Sequence, residues 1–405
     1  MLKKLLVSLL SALLCISVVA ETESQLNGNQ NETDVKIDEK GDVFVSPLWY
    51  HISSEGMAEV KFYRSYKYLE SIVIPSEIRV DGHVYPVTRI GDKTFSWCSG
   101  LINIKIPSSV TSIGNKAFSW CSGLKNIEIP YGVTSIENET FCGCRSLASI
   151  KMPSSVTSIG EYAFWGCSGL TSIKMPSSVT SIGEYAFWGC SGLTSIKMPS
   201  SLTSIGEYAF GECSGLTSIK ISSGVTSIGN CTFLGCRRLT SIKMPSSLTS
   251  IGDQAFLGCS DLTNIKIPSS VISIGKDAFR GCCRMTRIEI PSGVTCIEEG
   301  TFNFCSGLTN IMIPSNVKSI GGRSFEDCSS LTNIVIPSSV TSIGKNAFAG
   351  CVELIRIGIP SSVTSIEDYA FFICENLEIV IDNSEENVTV GENAFAGCKS
   401  VKFLK

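Results

Sequence analysis

Apolar positions recur along this chain at a fixed interval of 23 residues. Phenylalanine marks it most clearly. Phe95, Phe118, Phe141, Phe164, Phe187, Phe210, Phe233, Phe256, Phe279, Phe302, Phe325, Phe348 and Phe371 stand 23 apart, and Phe395 follows after one extra residue. Around Phe256 the apolar set is Ala255, Phe256, Cys259, Leu262, Ile265, Ile267, Val271 and Ile274, after which Phe279 opens the next unit. Between Lys151 and Ile196 the 23-residue string KMPSSVTSIGEYAFWGCSGLTSI is written twice without a change. A unit of this length cannot bury its apolar face alone, so successive copies must stack into a solenoid.

Two spacings share each unit. Ile265 and Ile267 alternate with Asn264 and Lys266, which is strand spacing. Ala255, Phe256 and Cys259 fall at i, i+1 and i+4, one face of a helical turn. Gly252 and Gly258 suit bends at its two ends, and Pro268 closes the strand because it has no N–H to donate. The expected fold is an α/β repeat solenoid of about 14 repeats. Each coil is expected to carry a short parallel strand on a concave face and a short helical turn opposite.

The pattern L-x-x-I-x-I-P-x-x-V-T-x-I-G-x-x-A-F-x-x-C-x-x-L runs over residues 69–402 and resembles the BspA-like class of leucine-rich repeats. The resemblance implies a secreted or cell-surface adhesion protein that binds host proteins such as fibronectin and fibrinogen, with no enzymatic activity and no cofactor. The family has no fixed binding motif to carry over onto particular residues.

The ends read differently. Residues 1–20 look like a signal peptide: Lys3 and Lys4 precede the apolar run Leu5 to Val19, and Val18-Val19-Ala20 is an acceptable cleavage site. The alternative is an N-terminal membrane anchor, although the run is short of the ~20 residues a spanning helix needs. No later segment is apolar for long enough to cross a membrane. Residues 21–42 are polar and read as a flexible linker. Residues 43–68, with Trp49, Tyr50, Ile52, Met57, Val60 and Phe62 around a Ser-Ser-Glu-Gly turn, read as an N-terminal β cap. Residues 69–380 are the array, with a hairpin arm expected at Asp81-Gly82, and 381–405 a C-terminal cap.

A net charge of -4 argues against a general nucleic-acid binder. The chain has 19 cysteines, of which fourteen stand three residues after the repeat phenylalanines. Metal sites want cysteines two to four apart with histidines near, and parallel side chains in one core are badly oriented for disulfides. A ladder of buried thiols is expected. The two histidines, His51 and His83, lie in no catalytic motif, and no metal, cofactor or catalytic residue is expected.

What remains is surface. One outward strand position reads Lys151, Lys174, Lys197, Lys220, Lys243, Lys266, then Glu289, Met312, Val335 and Gly358. With Arg287 and Arg356 beside it, this is the candidate ligand strip, suited to an extracellular protein or an acidic glycan. The alternative is that duplication copied lysine with everything else and the side chains only solvate the sheet. Trp165, Trp188, Tyr162 and Tyr185 form a candidate aromatic surface, which either meets a partner or packs coil on coil. The second function class is a structural envelope scaffold that self-associates.

Overall fold

The computed structural model describes residues 35–405. The expected signal peptide and the start of the linker lie outside them. The chain divides into two compact units at His51/Ile52. In the first, Val43–Val45 pairs antiparallel with Leu48–Ile52, matching Val43 to Tyr50 and Phe44 to Trp49. Lys36–Ile37 adds a third, short antiparallel strand against Val43–Val45.

The second unit is a stack of coils. Its early arm is the hairpin expected from sequence: Glu77–Val80 pairs antiparallel with His83–Ile90, joined by Asp81 (φ 49°) and Gly82 (φ 77°). Two successive positive φ values are what a tight primed turn requires, and Asp-Gly tolerates both.

Every regular coil contains two strands. Ser172–Lys174 is a first strand, and it stacks in parallel register on Ser195–Lys197 of the next coil. The second strand is a two-residue Ser-Ile, as in Ser181–Ile182 against Ser204–Ile205. Strand alternation puts Ile173 and Ile182 inside while Lys174 faces out.

The helical turn expected around each phenylalanine is not formed, and no α-helix occurs among the described residues. The reason is in the dihedral angles. In every coil the residues two before and two after the phenylalanine have positive φ, as at Tyr162 (53°) and Gly166 (67°) around Phe164. An α-helix needs φ near −63° throughout. The segment bonds to its neighbour instead. The N–H groups of Tyr162, Phe164 and Gly166 donate to the carbonyls of Glu184, Ala186 and Trp188 in the next coil at 2.9, 2.8 and 2.7 Å. Those of Trp165 and Cys167, between and after them, donate within their own coil to Tyr162 and Phe164 at 3.1 Å. Alternate donors thus go along the stack and around the turn, which satisfies the buried backbone.

The core is a set of columns. Leu170, Val179, Ala186, Phe187 and Cys190 are fully buried, and the same positions are buried in coil after coil. The phenylalanine rings stack nearly parallel, for example Phe187 on Phe210 at 5.3 Å and 2°. Tyr66, in the 3-10 turn Arg64–Tyr68, is fully buried against Phe95 at 5.5 Å and begins the stack. Side-chain hydroxyls run further ladders: Thr194 Oγ1 donates to the Thr171 carbonyl at 3.2 Å, and Ser201 Oγ to the Val179 carbonyl at 2.6 Å. The frequent Ser and Thr of the repeat are therefore coil-to-coil donors.

Candidate functional site

The first strands carry the lysine column. Lys174 lies opposite Lys197, Lys197 opposite Lys220, and Lys220 opposite Lys243, each pair in parallel register and every side chain exposed. Parallel neighbours sit about 4.8 Å apart. Two ammonium groups at that distance repel by ~0.9 kcal/mol at the dielectric of water. Serines flank the column at Ser172, Ser195, Ser218 and Ser241, so nothing beside it supplies counter-charge. Among the described residues, Lys174, Lys197, Lys220, Lys243 and Lys266 have no ion pair.

Lys151 and Arg287 of the expected strip are already partnered. Lys151 Nζ pairs with Glu128, its neighbour in the preceding coil. The Arg287 guanidinium pairs with Glu289 on its own strand at 3.0 Å. Arg356 lies in register with Glu378 but forms no ion pair with it; the Glu378 carboxylate takes Lys399 at 2.9 Å and sits below its usual range through that lysine's hydrogen bond and charge. The free cationic strip is thus narrower than the sequence suggested. Beyond Glu289 the column turns apolar. Met312 is 73% exposed and Val335, its register partner, 70%.

The aromatic residues use their faces on one another. Tyr162 stacks on Tyr185 at 4.7 Å and Tyr185 on Tyr208 at 4.4 Å, both within 5° of parallel. The Trp188 indole lies against the next coil's Gly211, where a Cβ would come within 2.2 Å of the ring. Tyr162, Tyr185, Trp165 and Trp188 are all half-buried. The tyrosine faces pack coil on coil, while Trp165 and Trp188 meet Trp120, Tyr185 and Tyr208 at tilted angles.

The thiol column does chemistry that the sequence did not disclose. Each ladder cysteine from Cys121 to Cys374 donates to the carbonyl of the phenylalanine 26 residues earlier, as Cys190 Sγ does to Phe164 O at 3.2 Å. Cys398, after the one-residue insertion, reaches back 27, to Phe371 O at 3.1 Å. Burial pushes these thiols up, Cys190 to about 12 and Cys167 well above its ordinary value, so they are held as poor nucleophiles. The described cysteines are free, and Cys283 alone among them is exposed.

His51 Nδ1 donates to Asp42 at 3.0 Å, and His83 Nδ1 to the Asp81 carbonyl at 3.1 Å. A small cleft is lined by Gly300, Asn303 and Phe304 among the turn side chains. Its charged groups are already paired: Arg280 with Asp277 at 3.7 Å, Arg323 with Glu326 at 3.9 Å, and Glu299 with Lys276 outside the cleft at 3.4 Å; Asn303 Nδ2 also donates to Glu326 at 3.0 Å. Partial burial raises the Glu326 carboxyl, against the pull of Arg323 and Asn303. Among the described residues no group of three or more His, Cys, Asp or Glu is placed to hold a metal, and no helix is long and apolar enough to cross a membrane.

The chain matches the BspA type leucine rich repeat region in six copies, over residues 88–217, 181–308 and 296–405. No curated protein matches it. Among solved structures, a leucine-rich repeat protein from Bacteroides ovatus is 31% identical, with 89% of this chain and 99% of that one covered at a TM-score of 0.81. A leucine rich cell surface protein from Faecalibacterium prausnitzii is 27% identical, with 93% and 96% covered at 0.51. The pneumococcal vaccine antigen PcpA shares the fold at 19% identity, with 93% and 100% covered and a TM-score of 0.60.

Proposed function

Because the chain belongs to the BspA-type leucine-rich-repeat family, a family of interaction modules that are generally not enzymes, we propose that it is an extracellular adhesion module working through the outer face of its first strands. The observation that carries this reading is the in-register column Lys174, Lys197, Lys220 and Lys243. Four like charges are stacked on one sheet with no ion-pair partner among the described residues. That arrangement is unfavourable for the isolated chain and is relieved when an anionic surface covers it. The Faecalibacterium relative, described as a cell surface protein, supports an outward-facing location.

The test is binding to immobilised fibronectin, fibrinogen and heparin at low and moderate salt. The chain from Glu21 is compared with a variant in which Lys174, Lys197, Lys220 and Lys243 become Ser. Binding that weakens with salt and is lost in the variant is the expected result. Unchanged binding by the variant would move adhesion off this face. Self-association without binding, centred on the aromatic side where Trp97 is 64% exposed, would favour the scaffold reading.

A further inference from the structure

The same column that bears the lysines continues, two coils after the last of them, as exposed apolar residues. Met312 and Val335 are 73% and 70% exposed on paired strands. The coil between the two zones neutralises itself through Arg287 and Glu289, 3.0 Å apart. The next position in the column is Gly358, where a Cβ would meet nothing within 4 Å. The face therefore reads, in order along the stack, cationic, neutral, apolar and open.

We propose that this face is the docking site for a single polypeptide segment of a partner protein, acidic along one half and apolar along the other. The inference rests on the adhesion reading above and names its ligand class. Charge complementarity assigns the acidic half to Lys174, Lys197, Lys220 and Lys243. The apolar half then lies over Met312 and Val335, with a large terminal side chain filling the step at Gly358. A sulfated glycan or a nucleic acid would use the lysines and leave the two apolar side chains in water. From Lys174 to Val335 is seven coil steps. At about 4.8 Å per step this is about 34 Å, which an extended chain spans in about ten residues. A short linear segment is long enough to engage both zones at once.

The experiment titrates the chain from Glu21 with a synthetic peptide of about ten residues, acidic in one half and leucine-rich in the other. A peptide of the same composition with the two residue types interspersed, and heparin, are the comparators. Two variants are used, the lysine-to-serine set and the pair Met312→Ser with Val335→Ser, each checked for a cooperative melting curve with a midpoint no lower than that of the native chain. The block peptide is expected to bind the native chain at least about tenfold tighter than either comparator, and each variant to lose about that much. Equal binding of the block and interspersed peptides, heparin as tight as the block peptide, or no loss in the Met312/Val335 pair overturns the segment. Provided the lysine set still matters, the adhesion reading then stands. Indifference of every probe to the lysine set overturns both.

Discussion

The coils of residues 151–196 and those around Phe325 and Phe348 share an interior and differ in almost everything outside it. Phe164 stacks on Phe187 at 5.1 Å and 5°, and Phe325 on Phe348 at 5.2 Å and 7°. The thiols of Cys190 and Cys351 reach the preceding phenylalanine carbonyl at the same 3.2 Å. Outside, Lys174 and Lys197 give way to Val335 and Gly358, Tyr162 and Tyr185 to Arg323 and Asn346, and Trp165 and Trp188 to Glu326 and Ala349. A buried position is fixed by the identical position one coil away, because rings and thiols stack only on their own kind. An outer position away from the hydroxyl ladders and stacked tyrosines has no such neighbour constraint, so each coil sets much of its own surface chemistry.

The comparison can be pressed hardest through pH. The folded thiols are raised above their ordinary value near 8.5. Their contribution to stability is therefore complete below that pH and is lost as pH rises toward the native values, about 12 for Cys190 and Cys374. Each ladder thiol should remove ~1.4 kcal/mol per pH unit above 8.5. Denaturant titrations from pH 8 to 10 should show steep destabilisation in both regions, and a flat profile would mean the ladder is not buried as thiol. Next in size, Phe187→Ala and Phe325→Ala should each cost ~3–5 kcal/mol. Unequal values by urea unfolding would break the equivalence of the two interiors.

A smaller contrast lies in the position before the phenylalanine. Ser324 is fully buried and its hydroxyl has no partner, whereas the early coils have Ala163 and Ala186 there. Ser324→Ala should stabilise by ~1 kcal/mol, and Ala186→Ser should destabilise by ~1–3 kcal/mol. Matching thermal shifts of the same sign would contradict this. Smallest, Lys197→Ser should relieve at most ~0.9 kcal/mol per neighbouring lysine, and less as salt is added. Met312→Ser should leave stability within ~0.5 kcal/mol, as an exposed site should.

The period, the buried set and the outward lysines were legible because each repeats on a spacing the eye can test. The second strand was not, since Ser181–Ile182 is two residues long and carries no alternation. The turn was misread for a physical reason. Ala255, Phe256 and Cys259 point inward at i, i+1 and i+4 in either conformation, so apolar spacing cannot separate a helical turn from this one. The separating signal was Gly143, Gly166, Gly189, Gly235 and Gly258, all two after a phenylalanine and all left-handed. The pairing of Lys151 with Glu128 was also readable, because they are one period apart. The thiol donors were not: a donor and acceptor 26 residues apart meet only once the coils are stacked.

The alternation of turn donors between the next coil and their own gives the array a mechanical character. A load applied along the stack bears on the inter-coil bonds, such as Phe164 to Ala186, while the bonds within a coil are sheared only after it has detached. We expect extension to proceed from a free end in discrete steps. Each step should release one 23-residue coil and so add roughly 75 Å of contour length. A single-molecule pulling trace without that spacing would contradict this expectation. Under the adhesion proposed above, the array would then yield by paying out chain coil by coil, keeping the remaining coils folded and their outer face intact.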